Sequence, residues 1–181
     1  YRPLASDASR GAMLPRYFGE PATEYRAVVG GAGLFDRSHR ALLEVRGKDR
    51  KTWLHNLVTN AVKTLDDFAG NYAFAVDVRG RTHFDLNILS LPDRLWLDID
   101  LAAAAGALAH FQKFLIMEDA VIRDASAEVA RLGVAGPRAV EVAGSFGAAH
   151  MSAMSALGCF IIEGGAAWLV RHDFAGLPGF E

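Results

Sequence analysis

Two runs of alternating residues meet at an Arg-Gly pair, and no other feature of this sequence limits its fold so tightly. Over 71–78, Tyr72, Phe74, Val76 and Val78 alternate with smaller or polar residues; over 81–89, Thr82, Phe84, Leu86 and Ile88 do the same. A period of two marks a strand with one face buried. Arg79-Gly80 between the runs is a tight-turn signal. The pattern predicts an antiparallel hairpin centred on Gly80, which a parallel doubly wound sheet would contradict.

Around the hairpin the sequence predicts a strand at 41–46 and a helix at 48–58 with Trp53, Leu54, Leu57 and Val58 on one face. A third strand at 95–99 follows the Pro92-Asp93 turn. An alanine-rich helix at 101–115 and a strand at 120–124 come next. The order β-α-β-β-β-α-β is that of an α+β fold, an antiparallel or mixed sheet with helices packed on it. Upstream, 1–20 reads as an arm lying on the fold, and Thr23 caps a helix over 24–29 that stops at Gly30-Gly31-Ala32-Gly33. After Ser126 the pattern restarts: a strand at 129–134, a helix begun by Gly136-Pro137, and a hairpin of 159–162 with 168–171 across Gly164-Gly165. The expected organisation is therefore the arm 1–20, a first unit 21–125 and the start of a second unit, 126–181.

Composition narrows the function classes. With 181 residues, 51% of them hydrophobic, the chain can bury a real core. A net charge of −2, and aromatics without interleaved lysines, argue against a nucleic-acid partner. The single cysteine, Cys159, allows no internal disulfide, fits a reducing cytoplasm, and sits in an apolar run where an inert thiol is expected. No apolar run approaches the ~18 residues of a membrane span, and no secretory signal opens the chain. The expected location is cytoplasmic, without a membrane partner.

Candidate chemistry is sparse. The segment Gly33-Leu34-Phe35-Asp36-Arg37-Ser38-His39 reads as a loop: Gly33 permits an unusual backbone angle, and Asp36, Ser38 and His39 crowd polar groups together. Adjacent Ser38 and His39 do not make a triad, which is a spatial arrangement, so an Asp/Ser turn is the better reading. The glycines of 30–33 lack the spacing of a phosphate cradle. The six histidines (39, 55, 83, 110, 150, 172) never stand at i, i+4, and no C-x-x-C exists, so no metal site is expected. Asp98 and Asp100 project to one face of a strand and read as two solvated carboxylates at its end.

Five blocks in register carry a resemblance. They are Gly33 to His39; Val45-Arg46-Gly47-Lys48-Asp49-Arg50 leading to Leu57-Val58-Thr59-Asn60-Ala61-Val62; Asp77-Val78-Arg79-Gly80 through Asp85-Leu86; Leu132-Gly133-Val134-Ala135-Gly136-Pro137-Arg138-Ala139; and Gly176-Leu177-Pro178-Gly179-Phe180-Glu181. Together they resemble the folate-binding superfamily of glycine-cleavage T-proteins (aminomethyltransferases) and their YgfZ-type relatives. The resemblance implies an aminomethyltransferase folate-binding fold with tetrahydrofolate as cofactor. It places Glu181 on the family's pterin-binding glutamate, whose carboxylate would accept two parallel donors from the ring, and it puts Phe35, Ser38 and His39 beside that pocket.

The same resemblance implies departures. Matching Leu108 puts Ala107 where T-proteins carry an aspartate near the reacting nitrogen, with Asp100, roughly two helical turns away, the weak substitute. Phe174, Ala175 and Leu177 replace polar residues of the terminal motif. The expectation is a tetrahydrofolate-binding one-carbon transferase without ordinary T-protein activity, working with a lipoyl-carrier protein. Its alternatives are a YgfZ-type accessory protein for iron–sulfur enzymes and a non-catalytic scaffold. Members of the family are longer, so the chain is expected to be the N-terminal portion of a longer protein.

Overall fold

The structure is a computed structural model that describes residues 2–3, 13–15, 17–146, 153–162 and 167–181. Its elements begin with β1 (Arg2–Pro3), β2 (Met13–Leu14), α1 (Pro21–Gly30), β3 (Gly33–Asp36), β4 (Arg40–Arg46) and α2 (Arg50–His55). Then come β5 (Gly70–Val76), β6 (Thr82–Ser90), β7 (Arg94–Asp100), α3 (Ala104–Gln112) and β8 (Val121–Asp124). The chain continues with β9 (Leu132–Ala135), α4 (Ala139–Gly144), β10 (Cys159–Ile161), β11 (Trp168–Val170) and β12 (Gly179–Phe180). The fold class is α+β with antiparallel sheets, every strand pair among the described residues being antiparallel.

Two units divide the chain, and not at residue 125. One is Arg40–Ala130; the other joins Tyr1–His39 to Arg131–Glu181. The segment 21–39 belongs with the later residues because β3 pairs with β9, Leu34 opposite Val134 and Phe35 opposite Gly133. Periodicity reports that a strand exists but not which distant strand it joins.

In Arg40–Ala130 the sheet order is β5-β6-β7-β4-β8. The hairpin turns at Gly80, whose φ of +76° suits glycine, and Asp77 Oδ1 accepts from the N–H groups of Arg79 and Arg81. Helices α2 and α3 cover one face, burying Trp53, Leu54, Ala104, Ala107 and Phe111 against Leu43, Val45, Leu86, Ile88, Leu97 and Ile99. Helix α2 is shorter than the expected 48–58 because the chain leaves to cover the sheet edge: Thr59 N–H donates to Phe74 O, and Thr59 Oγ1 accepts from Phe74 N–H. Helix α3 starts later than 101 because the Asp100 carboxylate takes the Ala102 N–H in a turn. The pairing of β5 with β6 shifts register between Ala75 and Val76, so Ala75 faces Phe84 while Val76 faces Thr82, and His83 is the extra residue.

The second unit holds a three-stranded sheet, β12-β9-β3, and the β10–β11 pair. That pair was expected; its Gly164-Gly165 turn lies outside the described residues. So does most of the 1–20 arm, whose described part includes the β1–β2 pair. The 33–39 segment is not a loop throughout, since Gly33–Asp36 is β3. Gly33 is there for room: a Cβ would run into the Val28 side chain. At Gly133 a Cβ would lie 2.6 Å from Phe174 Cζ, so this glycine leaves the space that the Phe174 ring fills.

Candidate functional site

Glu181 follows β12 and exchanges both backbone hydrogen bonds with Val170 on β11, so its side chain is aimed by a strand ladder. Only 5% of that side chain is exposed. Arg37 donates to Oε1 through Nε (3.2 Å) and Nη2 (2.8 Å), Arg131 donates to Oε2 through Nη2 (2.5 Å), and His172 Nδ1 stands 2.6 Å from Oε1. The Arg37 N–H in turn bonds the Arg131 carbonyl, which holds the two guanidinium stems side by side. Burial alone would raise the Glu181 pKa, but the His172 hydrogen bond and the charges of Arg131 and Arg37 outweigh it and hold the pKa at about 2. The carboxylate is ionised across the physiological range.

Aromatic rings stand beside this charge. Phe35 and Phe174 meet edge-to-face with centroids 5.2 Å apart, and the Arg37 guanidinium lies 4.3 Å over the Phe174 ring. Phe174 is thus the platform for an arginine. His39 joins through its Nε2, 3.4 Å from Arg37 Nη1. Ser38 does not: it is exposed, and its N–H donates to Asp36 Oδ1 in the expected Asp/Ser turn.

The structure therefore gathers Glu181, Phe35 and His39, and adds Arg37, Arg131, His172 and Phe174, which sequence reading did not select. A carboxylate offers about four acceptor positions, two on each oxygen; three of the four contacts crowd Oε1 and one reaches Oε2, which keeps a position open. Bidentate acceptance by Glu181 therefore needs a resident donor to leave Oε1, while Oε2 can take a second donor beside Arg131.

In the unit Arg40–Ala130 the expected carboxylates behave differently from one another. Asp98 is buried rather than solvated, gripped by Arg40 through Nε (3.0 Å) and Nη2 (2.9 Å) and by Asn87 Nδ2 at 2.7 Å. Asp100 is exposed and engaged with Ala102. Ala107 is completely buried in the apolar core beneath the sheet. Its methyl packs in that core. On β6, the half-buried Asp85 accepts through Oδ2 from the half-exposed Tyr72 hydroxyl at 2.7 Å. That hydrogen bond, with burial, raises the Tyr72 pKa and keeps the phenol protonated.

These features define an antiparallel α+β protein of two units with a buried, ionised carboxylate held by arginines over an aromatic pair. The chain belongs to the GCVT N-terminal domain family, which it matches over residues 7–181. It is 30% identical over 173 residues to an aminomethyltransferase of Rubrobacter xylanophilus, covering 94% of this chain and 46% of that protein. It is 29% identical over 174 residues to one of Bacillus mycoides, covering 94% and 48%. The chain spans about half the length of these curated relatives.

Among solved structures it superposes on the glycine cleavage system aminomethyltransferase T from Bartonella henselae with a TM-score of 0.77 at 22% identity, over 87% of this chain and 43% of that one. A chain of the heterotetrameric sarcosine oxidase from Corynebacterium sp. U-96 matches with a TM-score of 0.59 at 20% identity, over 88% of this chain and 80% of that one. These two likenesses establish the fold. Among the described residues no helix is long and apolar enough to cross a membrane.

Proposed function

We propose that this chain is a tetrahydrofolate-binding portion of an aminomethyltransferase-type protein, and that the ring of the folate is read by the cluster around Glu181. The observation that carries this reading is the carboxylate itself: ionised, oriented by a strand ladder and set beside Phe35, Phe174 and a flat guanidinium. A pterin is a flat heterocycle with amine and ring N–H donors and a carbonyl acceptor, and it matches a carboxylate, two arginines and an aromatic edge. The family match supports the same ligand, since the relatives it spans are named aminomethyltransferases.

Binding then proceeds by exchange. Of the four resident contacts, His172 is the one whose role depends on its tautomer and charge, so it yields to a ligand donor more readily than either guanidinium.

Calorimetric titration with 5-formyltetrahydrofolate tests the reading. The wild-type chain should bind, His172→Ala should bind at least as tightly because one acceptor position is vacated, and Glu181→Gln should weaken binding by about tenfold or more, the loss of a charge-assisted hydrogen bond. No heat at millimolar ligand from a folded wild-type chain would remove the folate reading. Unchanged affinity in Glu181→Gln would remove only the site.

A further inference from the structure

His83 and His110 lie in the unit Arg40–Ala130, on the side of the sheet that the helices cover. Consecutive residues of a strand point to opposite faces, yet His110 on α3 touches both His83, with centroids 5.1 Å apart, and Phe84, at 5.7 Å. The bulge in β6 explains this, because the extra residue turns the His83 ring onto the same side as Phe84. Phe111 and Phe114 pack against the His110 ring and fix its position. Among the described residues, the ring nitrogens of both histidines lack a hydrogen-bond partner.

We propose that His83 and His110 form a two-imidazole site for a borderline divalent cation, Zn2+ or Ni2+ in kind. Two imidazoles that each turn a nitrogen to one ion, at a metal–nitrogen bond of about 2.0–2.1 Å, put their centroids roughly 3.2 Å from it; at the 5.1 Å spacing of these rings that arrangement has an angle of roughly 106° at the ion, near the tetrahedral one. Imidazole nitrogen is the ligand such ions favour. No group of three or more His, Cys, Asp or Glu is placed to hold a metal among the described residues. Water therefore completes the shell, and the site is open and exchangeable. A bound ion ties β6 to α3 and requires nothing of the folate reading.

The test uses the untagged 181-residue chain and imidazole proton–carbon NMR. Substoichiometric Ni2+ should broaden the ring signals of His83 and His110 first, and Zn2+ should shift the same two. His83→Ala and His110→Asn should each weaken Zn2+ binding by about tenfold or more. His83 is exposed, so its replacement tests the site without disturbing the core. Equal Zn2+ affinity in wild type and His83→Ala, or broadening spread evenly over all six histidines, would overturn the assignment.

Discussion

Glu44 and Glu181 are both buried carboxylates ringed by cationic side chains, and both are held at a pKa of about 2. They are assembled differently. Glu44 meets Arg46 on its own strand, Arg94 on the neighbouring β7 and Arg123 opposite it on β8. Those arginines reach solvent and share Asp93 and Glu128, so the network is a charged seam across the sheet. Glu181 instead gathers Arg37 and Arg131 from 144 and 50 positions away, and their side chains are only 11% and 17% exposed. Where the guanidinium heads are wet, water screens the pair and takes over when it breaks. Where they are dry, the carboxylate is needed. The second arrangement is the one with chemistry to offer a ligand.

The strongest test of that contrast is a buried carboxylate with no arginines at all. Ala107→Asp places one in the apolar core, and it should destabilise by about 4 kcal/mol or more, the range of an unpaired buried charge, read as a lost or displaced urea transition. A stable, folded Ala107→Asp would show that the position has an outlet to water or to a ligand. Next, Glu181→Ala should cost about 3–5 kcal/mol, because it leaves Arg37 and Arg131 facing one another in a dry site. Glu44→Gln should cost less, about 1–3 kcal/mol, since the amide keeps some hydrogen bonds and the arginines keep their solvent. Equal urea midpoints for these two variants would erase the distinction between the clusters.

Acid sharpens it further. Burial would raise the pKa of either glutamate, but the cationic partners win, so both folded values lie below the ordinary 4.5. A depressed carboxylate contributes its stability above the unfolded pKa and loses it as pH falls toward the folded one. Stability against urea should therefore hold above pH 4.5 and fall between about 4.5 and about 2. Replacing either glutamate by glutamine should flatten part of that fall, the smallest effect of the set.

Much of the Arg40–Ala130 unit was legible because its order is local. The Gly80 hairpin, the strands beside it and the two covering helices follow from periods of two and 3.6 and from turn residues within a few positions. Helix ends were less legible. The Thr59–Phe74 bonds that shorten α2, and the Asp100 turn that delays α3, depend on what the chain does next.

Site residues divide the same way. Glu181, Phe35 and His39 were reachable because the terminal and 33–39 motifs resemble a known family. Arg37 and Arg131 carry no local signal: an arginine beside a turn and another before a strand look like solvated surface. Ala107 is a different case: the resemblance singled it out by position, and only the structure shows that the helix buries it in the core.

The sequence by itself determined the antiparallel α+β class and the hairpin, because each rests on neighbours within reach along the chain, and its resemblance to a known family supplied the family and the candidate glutamate. Only the tertiary structure decided that β3 pairs with β9, that Arg37, Arg131 and His172 converge on Glu181, and that a bulge brings His83 to His110. Burial and ion pairing depend on distances in space. Residues 144 positions apart have no local pattern to announce that they will meet.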